Sequence, residues 1–393
     1  MVATDVTLHD LCGKGKIYSP RVSADTARWI HNQPHLADAV TGNQITIVGE
    51  TPILCSAGTA TQKTIRLFKD IGHRLPDRIY TYSDEADRIG QMRRFANEGK
   101  KIIHIHAQSK DILPAEAYWI NPDLVSFLCN KANLLKVVPA HYAPSRAVCE
   151  RERLLETANT KIGLPLILKV ATELSSGSGN GIYRCETREE LFEANNRLTD
   201  CDTVVLEELL DIKKNYCLNF TIDECGKVNF LGATEQIIDK LIYVGNWLDS
   251  SITPPATAIE AGIEIMEKAF DLGYKGFSAI DVAEVADGSF RIYDLNFRCA
   301  GSTTPLILYH RFAEAMSGRC AMFRSYRYVH SFDELLSLAY QEVQRGDILP
   351  FNIFDPLPAG YYNKEPRLFA LLFGTSRDAI KEKEGRLAAK GLI

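Results

Sequence analysis

The chain has 393 residues and a formal net charge of −5, with 46% of its residues hydrophobic and 24% charged. That composition is ordinary for roughly two or three globular domains, and its mild acidity excludes the broad basic surface that a nucleic-acid backbone attracts. No run approaches the roughly 18 apolar residues of a membrane span, the first residues carry acids rather than a signal-peptide core, and the ten cysteines form no C-x-x-C pair; reduced thiols in a cytoplasmic chain are expected, not a disulfide frame or a zinc site.

From 44 to 130, short apolar runs alternate with amphipathic segments. Gln44 to Val48 predicts a strand and GETPILCSAGTAT a loop; helix Thr61 to Ile71, strand Asp77 to Tyr82, helix Asp84 to Glu98 and strand Lys101 to His106 follow. Strands alternating with helices imply a parallel sheet covered on both faces, so residues 1–125 read as a small doubly wound, Rossmann-like domain. The loop lacks G-x-G-x-x-G and is no dinucleotide site. Its Gly58-Thr59 is a structural turn before it is an anion cap. His104 and His106 share one face of the third strand, but no third ligand lies near them in sequence, which favours satisfied core histidines over a metal pair.

Beyond 126 the pattern changes. Val125 to Val138 predicts one helix carrying Lys131 and Lys136. Strand Leu164 to Val170, strand Ile182 to Arg184, helix Thr187 to Leu198 with Thr187 and Glu190 as a capping box, and strand Thr203 to Glu207 come next. Tyr216 to Asp223 and Lys227 to Ala233 form an antiparallel pair, and helix Ala256 to Leu272 precedes strands Phe277 to Val285 and Ser289 to Arg298. Asp287-Gly288 between two alternating runs marks that last pair as a hairpin. After Arg298 a charged terminal helix from Ser376 is the one element whose start is readable.

Two groups of residues carry chemistry. The first is the loop Ser175, Ser176, Gly177, Ser178, Gly179, Asn180, Gly181, where glycines and hydroxyls let backbone N–H groups wrap phosphate oxygens. Lys169, at the end of the preceding apolar strand, would place a cation beside it. The second is the string Asp294-Leu-Asn296-Phe-Arg298. Residues at every second strand position share a face, and the hairpin brings Asp281 alongside. Two carboxylates and an amide oxygen are hard ligands suited to Mg²⁺, and Arg298 is placed to steady charge developing on a phosphoryl or acyl oxygen.

This ordered set, Lys131, then Pro165-Leu-Ile-Leu-Lys169, the SSGSGNG loop, Val204-Val-Leu-Glu-Glu208, and Asp281 with D-x-N-x-R, resembles the ATP-grasp superfamily over residues 125–300. The resemblance implies an α/β fold: a pre-ATP-grasp domain at 1–125, nucleotide-binding and catalytic lobes at 126–320 with a small lobe near 140–207, and a C-terminal extension at 321–393 completing the large lobe. It also implies that Lys131 (with Lys136 its rival) and Lys169 contact ATP phosphates, that 175–181 is a mobile flap, and that Glu207, Glu208 and Leu210 line the adenine pocket. Asp281, Asp294 and Asn296 would hold two Mg²⁺ ions, with Mn²⁺ as a substitute, and Lys169 and Arg298 would act in catalysis. The chain departs from the pattern twice. Asn215 stands where an acid commonly holds the ribose, and Ala279 where many relatives carry an arginine.

The activity implied is ATP-dependent joining of a small-molecule carboxylate to an amine through an acyl phosphate, most similar to the amino-acid and peptide ligases of natural-product pathways. Segments 233–238 and 243–247 and the run Gly301 to Pro305 would then face the acceptor. A carboxylase or carbamoyl-type ligase using bicarbonate, and a non-catalytic ATP-binding regulator, are the alternatives on the same scaffold. A homodimer is suggested by analogy alone.

Overall fold

The computed structural model describes residues 5–393 apart from 31, 32, 107, 110, 175, 178 and 317. Its first sheet is parallel, with strands β1 (Lys16–Tyr18), β2 (Ile53–Ser56), β3 (Ile79–Tyr82) and β4 (Lys101–Ile103) in the order β3-β2-β1-β4. Helix Glu85–Asn97 packs on it through Met92 and Phe95, while helix Gln62–Asp70 turns Leu67 and Phe68 toward Ile348, Ile353 and Leu372 later in the chain; each is begun by a side-chain cap, Thr61 accepting from Thr64 N and Asp84 from Asp87 N.

Two antiparallel sheets follow. The smaller contains β5 (Arg146–Glu150), β6 (Leu166–Ala171), β7 (Ile182–Cys185) and β8 (Thr203–Glu208) in the order β5-β8-β6-β7. Its helix Arg188–Arg197 starts on the expected capping box, with both Thr187–Glu190 bonds made. The larger holds β9 (Ile212–Ile222), β10 (Val228–Asp239), β11 (Ile242–Leu248), β12 (Gly276–Val285), β13 (Phe290–Asn296), β14 (Cys320–Arg327), β15 (Ile348–Phe354) and β16 (Arg367–Gly374), ordered β13-β12-β9-β10-β11-β14-β16-β15. Helix Ala256–Asp271 buries Ala258, Ala261, Ile265, Met266 and Ala269 against one face of it, a period of three and four residues that a helix stripe requires. The parallel unit covers part of the other face: Tyr18, Ile45, Ile47 and Ile53 share one core with Phe323, Phe351, Phe369 and Phe373.

Four sequence expectations need correction. Gln44 to Val48 is a turn, not a strand. Ile47 N and Val48 N reach back to Gln44 O, while Ile47 O and Val48 O accept from Leu8 N and His9 N. The run is apolar because it is wedged between two sheets, a burial that periodicity cannot tell from a strand. Ile53–Ser56, read as loop, is the strand instead. Gly58 follows it with its α-carbon against the Asp355 carbonyl and the Phe354 ring, so that turn is sealed rather than open to an anion.

The helix expected over 125–138 is broken. Pro122–Cys129 ends where the Asn130 side chain accepts from Ala132 N at 3.0 Å, and a short turn, Lys131–Asn133, leads into Leu134–Val137. The break turns Lys131 inward and leaves Lys136 exposed. Lastly, β4 stops at Ile103, so His104 and His106 lie beyond it. His104 is buried edge-on to Tyr118, and burial lowers its pKa to about 4.

Candidate active site

The β12–β13 hairpin forms as the Asp287-Gly288 turn requires, with Asp281 directly opposite Asp294 and Ala279 opposite Asn296. The register slips once. Val282 pairs with Ile292, so Tyr293 is the extra residue of a β-bulge. Phe290 and Ile292 on one side of it, and Leu295 and Phe297 on the other, all face the core. Tyr293 and Asp294 therefore both look outward, where strict alternation would have sent one of them inward.

Around the two carboxylates the contacts are dense. Lys131 Nζ donates to Asp294 Oδ1 and Oδ2 at 2.7 and 2.8 Å. Gln236 Nε2 donates to Asp281 Oδ1 at 2.9 Å, and Asn296 Nδ2 to Asp281 Oδ2 at 3.3 Å. Tyr293 places its hydroxyl on Gln236 Oε1 at 3.0 Å and reaches Asn215 Oδ1 at 3.4 Å. Burial and the adjacent Asp294 charge raise the Asp281 pKa. Burial works in the same direction on Asp294, but Lys131 outweighs it, with Lys169 and Arg298 behind, and holds that carboxyl below its ordinary value.

The small sheet contributes a second, closed group. Lys169 Nζ pairs with Glu207 Oε2 at 2.5 Å and donates to the Tyr293 carbonyl at 3.1 Å. Arg146 lies 3.4 Å from the other Glu207 oxygen and donates to the Lys131 carbonyl at 2.5 Å. Burial lowers the Arg146 pKa. Glu208 accepts from Ser145 N at 2.7 Å, and Leu210 lies half-buried in the link between β8 and β9.

Arg298 stands apart. It contacts Cys129 Sγ at 3.8 Å and the Ser176 carbonyl at 3.4 Å, and among the described residues no carboxylate lies within 4.0 Å of it. The flap is held over it by the parallel unit. Ser176 bridges to Trp29, Gly177 N donates to the Trp29 carbonyl at 3.1 Å, and Asn180 Nδ2 to the Ile30 carbonyl at 3.1 Å. Gly179, at φ +82°, also abuts the Leu241 carbonyl, where any β-carbon would collide. Ser175 and Ser178 of the sequence expectation lie outside the described residues.

A cavity of about 520 Å³ joins these parts. Lys131, Gly177, Gly179, Asp281, Asp294, Asn296 and Arg298 line it, whereas Lys169, Glu207, Glu208, Leu210 and Asn215 sit behind that lining. Ser302 and Thr303 do not form a free turn after β13: both hydroxyls donate to buried Asn219, at 3.1 and 2.9 Å, at the start of helix Thr303–Phe312. Sequence reasoning passed over Tyr293, Arg146 and the Trp29-Ile30 segment.

Among the described residues no cluster of three His, Cys, Asp or Glu side chains is suited to a metal. The donor set is smaller, two carboxylates and an amide. Two acids side by side, Asp281 buried with a raised pKa and Asp294 half-buried, carry the negative charge that a divalent cation relieves. All ten cysteines are free thiols, and no helix among the described residues is long and apolar enough to cross a membrane.

Comparison with known proteins bears on the fold and the family. Residues 144–296 match a family model described as L-aspartate--L-methionine ligase, ATP grasp, and residues 7–126 match the N-terminal domain model of the same description. A D-alanine--D-alanine ligase of Glaesserella parasuis is 29% identical over 152 residues, 37% of this chain and 47% of that protein. One from Haemophilus ducreyi is 30% identical over 144 residues, 35% and 45% respectively. The matched stretch thus spans about half the length of these curated relatives. Among solved structures, N5-carboxyaminoimidazole synthetase from Staphylococcus aureus complexed with ADP superposes with a TM-score of 0.61 at 11% identity, covering 98% of this chain and 99% of that one. N5-carboxyaminoimidazole ribonucleotide synthetase from Thermus thermophilus does so at 0.58 and 15%, covering 95% and 98%. The chain belongs to the ATP-grasp superfamily, with a pre-ATP-grasp domain ahead of the ATP-grasp fold.

Proposed function

We propose that this chain is an ATP-dependent ligase that activates a carboxylate as an acyl phosphate and couples it to an amine, releasing ADP and phosphate. The observation that carries the reading is the meeting of Asp281, Asp294, Lys131 and Arg298, the last without an acid among the described residues, in one cavity beneath a glycine-rich flap. A carboxylate is a poor acyl donor because its oxygen leaves badly; taking the γ-phosphoryl group of ATP gives it a good leaving group. Lys131 and Lys169 bind phosphate oxygens, each moving from its present carboxylate partner. Asp281, Asp294 and Asn296 would hold magnesium, whose charge would offset that of the phosphoryl group during transfer. Arg298 stands ready for the acyl oxygen, its guanidinium not engaged by a described carboxylate. The flap, pinned by Trp29 and Ile30, keeps water from the acyl phosphate until the amine attacks.

Both substrates are amino acids in this reading. Support comes from the printed description of the matching family, an aspartate and a methionine joined, and from relatives named for joining two alanines. ADP release measured against paired amino acids as acid and amine tests it. Release with at least one pair, and none with bicarbonate replacing the acid, is expected. No release with any pair while ATP binds would refute ligase activity.

A further inference from the structure

The cavity has a second end. Away from Asp281 and Asp294 it runs beneath Leu36 and Val40 of the parallel unit to Phe323, Ser325, Arg367 and Phe369 on β14 and β16. Phe323 and Phe369 share the core that joins the large sheet to the parallel unit, so Arg367, two positions before Phe369 on the same strand, faces the cavity with it. Among the described residues its side chain makes one hydrogen bond, from Nη2 to Ser325 Oγ at 3.1 Å. Among the described residues no carboxylate lies within 4.0 Å of it.

Its neighbours make this isolation costly. Arg327 pairs directly across from Arg367, and its own partner is Glu365, at 2.8 Å. Burial and then Arg327 lower the Arg367 pKa, and His35 is lowered by burial, Lys364 and Arg367. The other cavity cations are settled: Lys131 is on Asp294, and Arg324 is turned to Glu384, at 3.3 Å. Arg298 and Arg367 are the two guanidiniums of the cavity left without an acid among the described residues. Arg298 belongs to the reacting end. A half-buried guanidinium at the other end, whose nearby acid, Glu365, is already paired with Arg327, has room for a further anion.

We propose that Arg367, steadied by Ser325, binds the free carboxylate of the amine-bearing substrate, and that Leu36, Val40, Phe323 and Phe369 hold an apolar side chain beside it. The amine donor is then an α-amino acid with an apolar side chain. Its amino group is directed toward Asp294 and Arg298, and its carboxylate points away from the chemistry. This assignment rests on the ligase reading for the direction in which the substrate lies. A guanidinium fork suits a carboxylate in a way that a lysine does not.

The test is calorimetric titration of the full chain, with a non-hydrolysable ATP analogue present, by L-methionine and L-leucine and by the amines left when each loses its carboxylate. The wild-type chain is expected to bind the amino acids and to bind the decarboxylated amines roughly 10- to 100-fold more weakly. Arg367→Ala should weaken amino-acid binding by a similar factor and no longer distinguish amino acid from amine. Arg367→Lys should fall between. Circular-dichroism melts check that the variants fold, and the wild-type comparison of amino acid with amine stands without any variant.

Binding of L-methionine and L-leucine by Arg367→Ala within twofold of wild type would overturn the assignment. So would equal binding of amine and amino acid by the wild type, or no binding of either amino acid. Discrimination at Arg367 without ADP release from any substrate pair would keep the carboxylate site and refute the ligase reading alone.

Discussion

The parallel unit and the large antiparallel sheet handle buried charge in opposite ways. In the parallel unit Arg21 meets Asp38 at 2.5 Å and Glu85 at 3.1 Å, Asp38 also accepts from Tyr82 and Tyr361, and Arg88 meets Glu85 at 2.6 Å. Each of these cations has an acid, and burial disfavours the charged form of His104. On the large sheet two acids stand together, while Arg298 and Arg367 have none among the described residues. A closed network stabilises a fold; an open one is completed by what it binds.

The most severe change expected is at the open network. Asp294→Ala should lower ADP release by at least about 1,000-fold in a chain that still folds by circular dichroism, since it removes a phosphate-side acid; it also leaves buried Lys131 without its carboxylate, so some loss of melting temperature accompanies it. Activity retained in that variant would remove the distinction between the two regions. Next is Asp38→Ala, which leaves buried Arg21 with Glu85 alone and takes the acceptor from two tyrosine hydroxyls. Breaking a buried pair in this way costs about 3–5 kcal/mol, and denaturant titration should show it. Tyr361 belongs to the C-terminal segment, so the loss should also loosen the contact between that segment and the parallel unit.

A smaller effect concerns pH. His104 has a pKa of about 4 in the folded chain against 6.5 in the unfolded one. The unfolded state therefore binds more protons between those values, and stability rises with pH across that window. By the same linkage the total is up to about 3 kcal/mol. His104→Phe, keeping the packing on Tyr118, should reduce but not remove the slope between pH 4 and 6.5 in denaturant titrations, because buried His73 is lowered to about 4 as well; an unchanged slope would place the titration elsewhere. Smallest of all, Lys136→Ala should leave ADP release and stability unchanged, whereas Lys131→Ala should not.

That last pair shows where local pattern stops being informative. Both lysines fit one helical stretch, and the choice between them turned on Asn130 capping a new turn, a competition between side chain and backbone with no periodic signature. The hairpin carrying Asp281 and Asp294 was legible because Asp287-Gly288 fixes its turn and one face is core. Strands β14, β15 and β16 were not. They pair with one another and with β11 across long stretches of sequence, and Ile348–Phe354 is buried on both faces, so no alternation marks it. Arg367 was invisible for the same reason.

The bulge at Tyr293 has a consequence for what the hairpin tolerates. Its two halves are anchored separately, Phe290 and Ile292 before it and Leu295 and Phe297 after it, and they run one residue out of phase. Tyr293 is the spacer that reconciles them. A shortened spacer would leave the turn and the core anchors competing to set the phase, and one solution would swing the Asp294 carboxylate into hydrocarbon. Changing that residue's identity should be survivable; changing the number of residues there should not.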